Sequence, residues 1–142
     1  MRSAFLEAAT SVARLLAEPA VAAAWERPSA LAKLSVSGLA GHLLTGCGPD
    51  SLANRPTGSS TYPGDPWSLT LDDLLLTRII ELAVHSDDLA VSVDIATPAL
   101  PAHVTDPVLQ TLVLVAARRH GTVALLRALS RAERAPATVT VF

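Results

Sequence analysis

The stretch from Thr70 to Val93, TLDDLLLTRIIELAVHSDDLAVSV, decides the fold. Asp73 follows Thr70 at the spacing of a capping box, in which each side chain bonds a free backbone N–H at the start of a helix. The carboxylates of Asp72 and Asp73 also suit the positive end of the helix dipole. Because an apolar run continues from there to Val93, the stretch predicts one long helix.

Four ionisable side chains interrupt this apolar run. They are spaced three, four and three residues apart, so they project from nearly one side of the helix: Arg78, Glu81, His85 and Asp88. An ionisable group that faces a core costs several kcal/mol unless it pairs or binds a metal. The polar stripe therefore predicts a partner on a neighbouring helix.

A helix just upstream offers that partner. Ser35 is a suitable N-cap for a helix that runs to about Thr45, with Leu39 and Leu43 turned inward. His42 lies between those two apolar positions. His42 is therefore expected on a helix that faces the core, as the partner of the polar stripe.

The rest of the N-terminal half predicts one more helix and two connecting segments. Ser3 caps a first helix, which ends near Pro19 and has apolar residues at three- and four-residue spacing: Phe5, Ala8, Ala9, Val12, Leu15 and Leu16. Residues 20–33 read as a connector with one extra helical turn and a buried Trp25 indole. Gly46–Pro66 holds four Gly and four Pro in twenty-one residues, which predicts a loop.

The C-terminal part predicts a fourth helix. After a turn at Thr97–Pro101, Asp106 as cap and Pro107 at the first helical position start a helix that runs to about Ser130. Gly121 is expected to kink it. The tail 138–142 alternates β-branched residues and is expected to lie extended or to fray.

The amino-acid composition limits the fold class and the kinds of binding partner that we expect. A chain of 142 residues, half of them hydrophobic but only 4% aromatic, suits one all-helical domain, 1–142, built on Ala, Leu and Val. A net charge of −2 with scattered charges predicts neither nucleic-acid nor membrane binding. The single Cys47 cannot form an internal disulfide, and Glu7 and Arg14 interrupt the apolar N-terminus, so we expect a cytoplasmic protein without a signal peptide.

The spacing within the polar stripe fits a metal site. Glu81 and His85, four residues apart, place an oxygen and a nitrogen on one ion, and His42 adds a second nitrogen. Zinc is the favoured ion, although nickel and iron accept the same ligands. Three protein ligands leave one position for water, hydroxide or a thiolate. Asp88 is expected to accept the other ring N–H of His85, and Arg78 to orient Glu81.

A simpler interpretation stays open on these residues alone. Glu81 and Arg78 would then form a surface ion pair, and His42 and His85 would be ordinary boundary histidines. Cys47 is expected to be a free thiol, His103 a solvated turn residue and His120 part of a basic surface cluster, with an anionic thiol as its alternative partner. Trp25 and Trp67 are expected to pack, or else to wall a pocket.

Four motifs in order resemble the mycothiol-dependent maleylpyruvate isomerase-like family of the DinB superfamily. They are WERPSAL (25–31), SVSGLAGHLL (35–44), RIIELAVHSDDLA (78–90) and RRHGTVALLRAL (118–129). The resemblance implies a DinB-like four-helix bundle with His42, Glu81 and His85 as metal ligands. Its implied chemistry is a zinc-held thiolate of mycothiol or a similar small thiol that attacks an electrophilic substrate, in an isomerase or a transferase.

The resemblance also implies a shortened bundle. Only 38 residues separate His42 from Glu81, where relatives carry an extra helical stretch, and Leu34 occupies a position that is often Trp. A shortened bundle would expose an apolar groove, so we expect a homodimer, with or without exchanged helices. A non-enzymatic helical binding module and a zinc hydrolase remain the alternative functions.

Overall fold

The structure is a computed structural model that describes residues 1–47, 60–61 and 68–142, and this part is mostly helical. The predicted helical class is confirmed. Its α-helices are α1 (Arg2–Leu16), α2 (Pro19–Ala23), α3 (Val36–Cys47), α4 (Leu71–Ser92), α5 (Ala102–His120) and α6 (Thr122–Ser130), followed by a 3-10 turn at Ala132–Arg134. Two short strands, β1 (Ser60–Thr61) and β2 (Ser68–Leu69), pair antiparallel, with Ser60 opposite Leu69. Most of the predicted loop at Gly46–Pro66 lies outside the described residues.

The chain divides into two compact units, Met1–Val104 and Thr105–Phe142. In the first unit, α4 packs against both α1 and α3. The side chains at these contacts are apolar and buried, among them Phe5, Ala8 and Val12 of α1, Val36, Leu39 and Leu43 of α3, and Leu75, Ile79, Leu82 and Leu89 of α4. Burial of these side chains is the main favourable term that holds the three helices together.

Helix α4 has well-defined ends, as its sequence predicts. The Thr70 hydroxyl accepts a hydrogen bond from the Asp73 backbone N–H at 3.1 Å, and the Asp73 carboxylate accepts one from the Thr70 N–H at 3.4 Å. The predicted capping box is therefore confirmed. At the other end Asp94 takes a positive φ of 58°, and the N–H of Ile95 reaches back to the Ala90 carbonyl at 3.0 Å. This pattern is a Schellman motif with Asp in the position that usually holds Gly.

Two predictions for the upstream segments are confirmed and two are wrong. The Ser35 hydroxyl caps α3 by accepting from the Gly38 N–H at 3.1 Å, and α2 is the expected extra turn. Ser3 does not cap α1, because the helix already begins at Arg2 after Met1. Trp25 is 44% exposed rather than buried. Its carbonyl instead accepts from the Ser37 N–H, so its backbone rather than its ring ties this segment to α3.

The predicted start and continuity of the fourth helix are both wrong. Helix α5 begins at Ala102, so Pro107 lies inside it and Asp106 is not its cap. A proline at the sixth helical position removes one backbone hydrogen bond, which the helix tolerates. Gly121, with φ 89°, breaks the helix and is the N-cap of α6 instead of kinking one continuous helix. The left-handed conformation at Gly121 cannot continue an α-helix.

The tail 138–142 forms no helix or strand and is held at the end of α5. The Arg119 guanidinium donates to the Val141 carbonyl, and Nε2 of His120 lies 2.7 Å from the Thr140 carbonyl oxygen. These two contacts tie the tail to the end of α5, and its predicted extended conformation stays a prediction. In the described part of the chain, no helix is long and apolar enough to cross a membrane.

Candidate metal centre

The candidate site lies where α3 faces α4 and is built from three side chains. His42 comes from α3, while Glu81 and His85 come from successive turns of α4. The Glu81 carboxylate oxygen lies 3.5 Å from Nε2 of His42 and 3.2 Å from Nε2 of His85. One ligand atom from each residue lies within 4.8 Å of the others. The structure therefore brings together the three residues that the sequence predicts as metal ligands.

The two distances to Glu81 are compatible with ligand atoms that share one tetrahedral ion. Bonds of about 2.0 to 2.2 Å at a tetrahedral angle place two ligand atoms about 3.3 to 3.6 Å apart. The two Glu81 distances, 3.5 and 3.2 Å, lie at or near this range. The imidazole rings of His42 and His85 meet edge to face, with centroids 5.0 Å apart and planes at 77°. Both Nε2 atoms can therefore approach one centre without the rings stacking.

Asp88 gives His85 a defined orientation. Nδ1 of His85 lies 2.9 Å from the Asp88 carboxylate, which is the predicted contact. In the tautomer whose Nδ1–H donates to Asp88, the lone pair of Nε2 faces Glu81. That lone pair is then available to a metal ion shared with Glu81.

The two helices hold the three side chains on the side of the core, and the opposite side of the site faces solvent. Leu39 and Leu43 anchor α3, and Ile79 and Leu82 anchor α4, because all four are buried in the first unit. His85 is only 16% exposed, whereas Glu81 is 41% and His42 51% exposed. An ion held here would therefore have protein on one side and solvent on the other.

The open side of the site is a cleft of about 240 Å³. Besides the three candidate ligands it is lined by Leu43, Thr45, Arg78 and Leu82. Arg78 places a cationic side chain beside the site, where an anionic group of a small molecule would be attracted. Its predicted role in orienting Glu81 stays a prediction.

Of the other residues that the sequence singles out, His103 and His120 do not join this site. His103 lies in the first turn of α5 rather than in a turn segment, and its Nε2 is 3.1 Å from the Glu7 carboxylate. His120 contacts the tail. The side chain of Cys47 and all of Trp67 lie outside the described residues. Sequence reasoning missed the Glu7–His103 pair, because residues ninety-six positions apart give no local signal.

No family model, curated protein or solved structure matches the chain. The geometry of the three side chains and the chemistry of their donor atoms are thus the basis for a functional assignment.

Proposed function

We propose that the protein is a metal-dependent enzyme of the transferase or isomerase type that uses a small thiol. His42, Glu81 and His85 hold one divalent ion, which we take to be zinc. The observation that carries the proposal is the convergence of two imidazole nitrogens and one carboxylate oxygen from two helices. Three protein ligands leave a coordination position open, as catalytic rather than structural zinc sites do.

The resemblance to the mycothiol-dependent maleylpyruvate isomerase-like family supplies the finer part of the proposal. Within it, α1, α3 and α4 are three helices of a DinB-like bundle, and the thiol is mycothiol or a similar compound. When bound, the ion supplies a Lewis acid that keeps such a thiol deprotonated at neutral pH. The co-substrate is a small electrophile, and the three metal ligands do not determine which one.

The protein's own residues position and select the reactants. Asp88 holds the His85 ring so that Nε2 faces the centre, which fixes one ligand before the ion arrives. Arg78 attracts an anionic group on the thiol or the electrophile into the cleft. Leu43 and Leu82 give the cleft an apolar floor that displaces water from the reacting atoms.

The size of the cleft limits what it encloses. Small-molecule pockets usually measure about 300 to 1,000 Å³, whereas this cleft is about 240 Å³. It accommodates the thiol end of a cofactor and a small electrophile, and the remainder of the cofactor would lie over the half-exposed His42. We therefore expect truncated thiols to bind nearly as well as a complete cofactor.

Elemental analysis of the purified protein tests the ligand set. The wild type should carry one equivalent of zinc, and His85→Ala should retain less than about a tenth of it. Loss of a residue that only orients a ligand lowers metal affinity about 10- to 100-fold, and loss of the ligand itself should lower the affinity at least as much. His42→Ala and Glu81→Gln should behave alike. The matched control is His103→Ala, since that histidine lies on a different part of the surface.

The outcome separates the proposal from a non-enzymatic helical module. Zinc content that is equal in wild type and His85→Ala, with unchanged circular dichroism, would show that these residues do not hold an ion. A helical binding module without a metal at these three residues would then replace the enzyme.

Cobalt substitution tests the thiol. A thiolate on Co²⁺ produces an intense sulfur-to-metal charge-transfer band, whereas water does not. We expect the band to appear on adding one equivalent of mycothiol or a truncated thiol, in a Cys47→Ser background that removes the protein's own thiol. If the spectrum does not change, the open position serves water, and a zinc hydrolase is the better assignment.

A further inference from the structure

The second unit leaves most of its large apolar side chains exposed. All of residues 105–142 are described, and the apolar side chains buried there are Val108, Ala116 and Leu125. Eight large ones are exposed: Leu109, Val113, Leu114, Val115, Val123, Leu126, Leu129 and Phe142. A helical segment with so few buried side chains has little packing energy of its own. Something is therefore expected to cover this surface.

Six of the eight form two stripes along the helices. In α5, Leu109, Val113 and Leu114 recur at four- and five-residue spacing on one side of the helix, and in α6, Val123, Leu126 and Leu129 recur every third residue. No charged residue occurs in 107–117 or in 122–126. Long uncharged helical stripes of this kind are rarely left in water.

The stripe on α5 has opposite charges at its two ends. Asp106 lies three residues before Leu109, and Arg118 lies four residues after Leu114, so both exposed side chains are on the same half of the helix as the stripe. They are twelve residues, or about 18 Å, apart and cannot contact each other within one straight helix. A second α5 packed antiparallel about the middle of the stripe would bring Asp106 of one copy to the same level along the helix axes as Arg118 of the other, at both ends, where their attraction favours this pairing.

We propose that this surface is a homodimer interface in which two copies of α5 pack antiparallel, with α6 extending the contact. The six side chains are 41–68% exposed, so complete burial removes at most roughly 100 Å² of apolar area from each. The upper limit is roughly 600 Å² per copy and 1,200 Å² for the pair, where specific stable interfaces begin. A two-fold pairing uses the same surface twice and joins unlike charges at both ends.

Sedimentation equilibrium between 1 and 100 μM gives the first test. The wild type should have twice the chain mass of 14.8 kDa. Leu114→Glu and Leu126→Glu should each be monomeric, because they place a carboxylate inside the contact. The matched control is Val91→Glu, which changes an equally exposed apolar residue of α4 and should stay dimeric.

Charge reversal gives a second test that does not disturb the apolar stripe. Asp106→Arg and Arg118→Asp should each weaken dimerisation at least about tenfold, because each change affects both symmetry-related pairs. The double variant should restore the wild-type constant, which requires contact between copies since the two positions cannot meet in one chain. Zinc content should stay constant throughout, so this proposal can fail independently of the metal site.

Three results would overturn the dimer. A wild-type monomer at 100 μM would mean that the stripe does not join two copies of the chain. Leu126→Glu and Leu114→Glu that remain dimeric with native circular dichroism would place the contact elsewhere. A double charge variant no tighter than the single ones would exclude the antiparallel pairing of α5.

Discussion

At the residue scale, His85 is the residue that contacts both carboxylates of the site. It is the least exposed of the three candidate ligands, and each of its ring nitrogens lies within 3.2 Å of a carboxylate oxygen, one on Glu81 and one on Asp88. The spacing of three and four residues along α4 alone produces this arrangement. One helix therefore supplies a ligand pair and the group that orients it.

Asp88→Ala should lower zinc affinity about 10- to 100-fold without removing the site, because the His85 ring loses the acceptor that fixes it. Competition with a chromophoric chelator measures the constant, and saturating zinc should still give one equivalent. Asp87→Ala is the control, since Asp87 accepts from the Thr97 hydroxyl and does not face the ring. Equal affinities for the two variants would remove Asp88 from the site.

The sequence predicts the site residues as far as helical periodicity reaches. Glu81, His85 and Asp88 share one face by spacing. His42 was expected opposite them to offset a burial cost, but its side chain is 51% exposed, so its place beside Glu81 comes from the packing of α3 against α4. The exposed Trp25 was not predictable, since its orientation depends on a backbone hydrogen bond to Ser37 in another element. Contacts of this kind are set by tertiary packing rather than by local sequence.

At the element scale, α4 is bounded at both ends by backbone hydrogen bonds. The sequence predicts its N-terminal capping box. Its C-terminal Schellman motif uses Asp94, a residue type that does not by itself predict the end of a helix. A local sequence signal also failed to give the correct start of α5. Asp106 and Pro107 form a typical start signal, but the chain is already helical from Ala102.

Thr70→Ala should destabilise the protein by about 1 kcal/mol, because alanine lacks the hydroxyl that accepts from the Asp73 backbone N–H. Urea unfolding followed by circular dichroism gives the value. Thr10→Ala is the control: its hydroxyl donates to the Leu6 carbonyl inside α1, and its loss should change stability by less than about 0.5 kcal/mol. A Thr70→Ala variant as stable as this control would show that the box contributes nothing.

At the scale of the whole molecule, the first unit contains α1, α3, α4 and the candidate site, so ion binding and folding of that unit should be linked. Zinc at about 100 times its dissociation constant should raise the free energy of unfolding by about 2.7 kcal/mol. Urea midpoints with zinc and with a chelator measure the difference.

Two controls define this linkage. Mg²⁺ should have no effect, because it prefers oxygen ligands, and zinc should have none on His85→Ala. A zinc-induced rise in the midpoint that persists in His85→Ala would place the ion elsewhere on the chain.

The site joins two helices across the 38 residues that separate His42 from Glu81. An ion bound there would act as a removable cross-link. Closing a loop of that length lowers the conformational entropy of the unfolded chain, which stabilises the folded state by roughly 4 kcal/mol. This quantity depends only logarithmically on loop length. The connection could therefore be lengthened or trimmed over evolution with little loss of that benefit, while Glu81 and His85 must stay three or four residues apart to share one face of their helix.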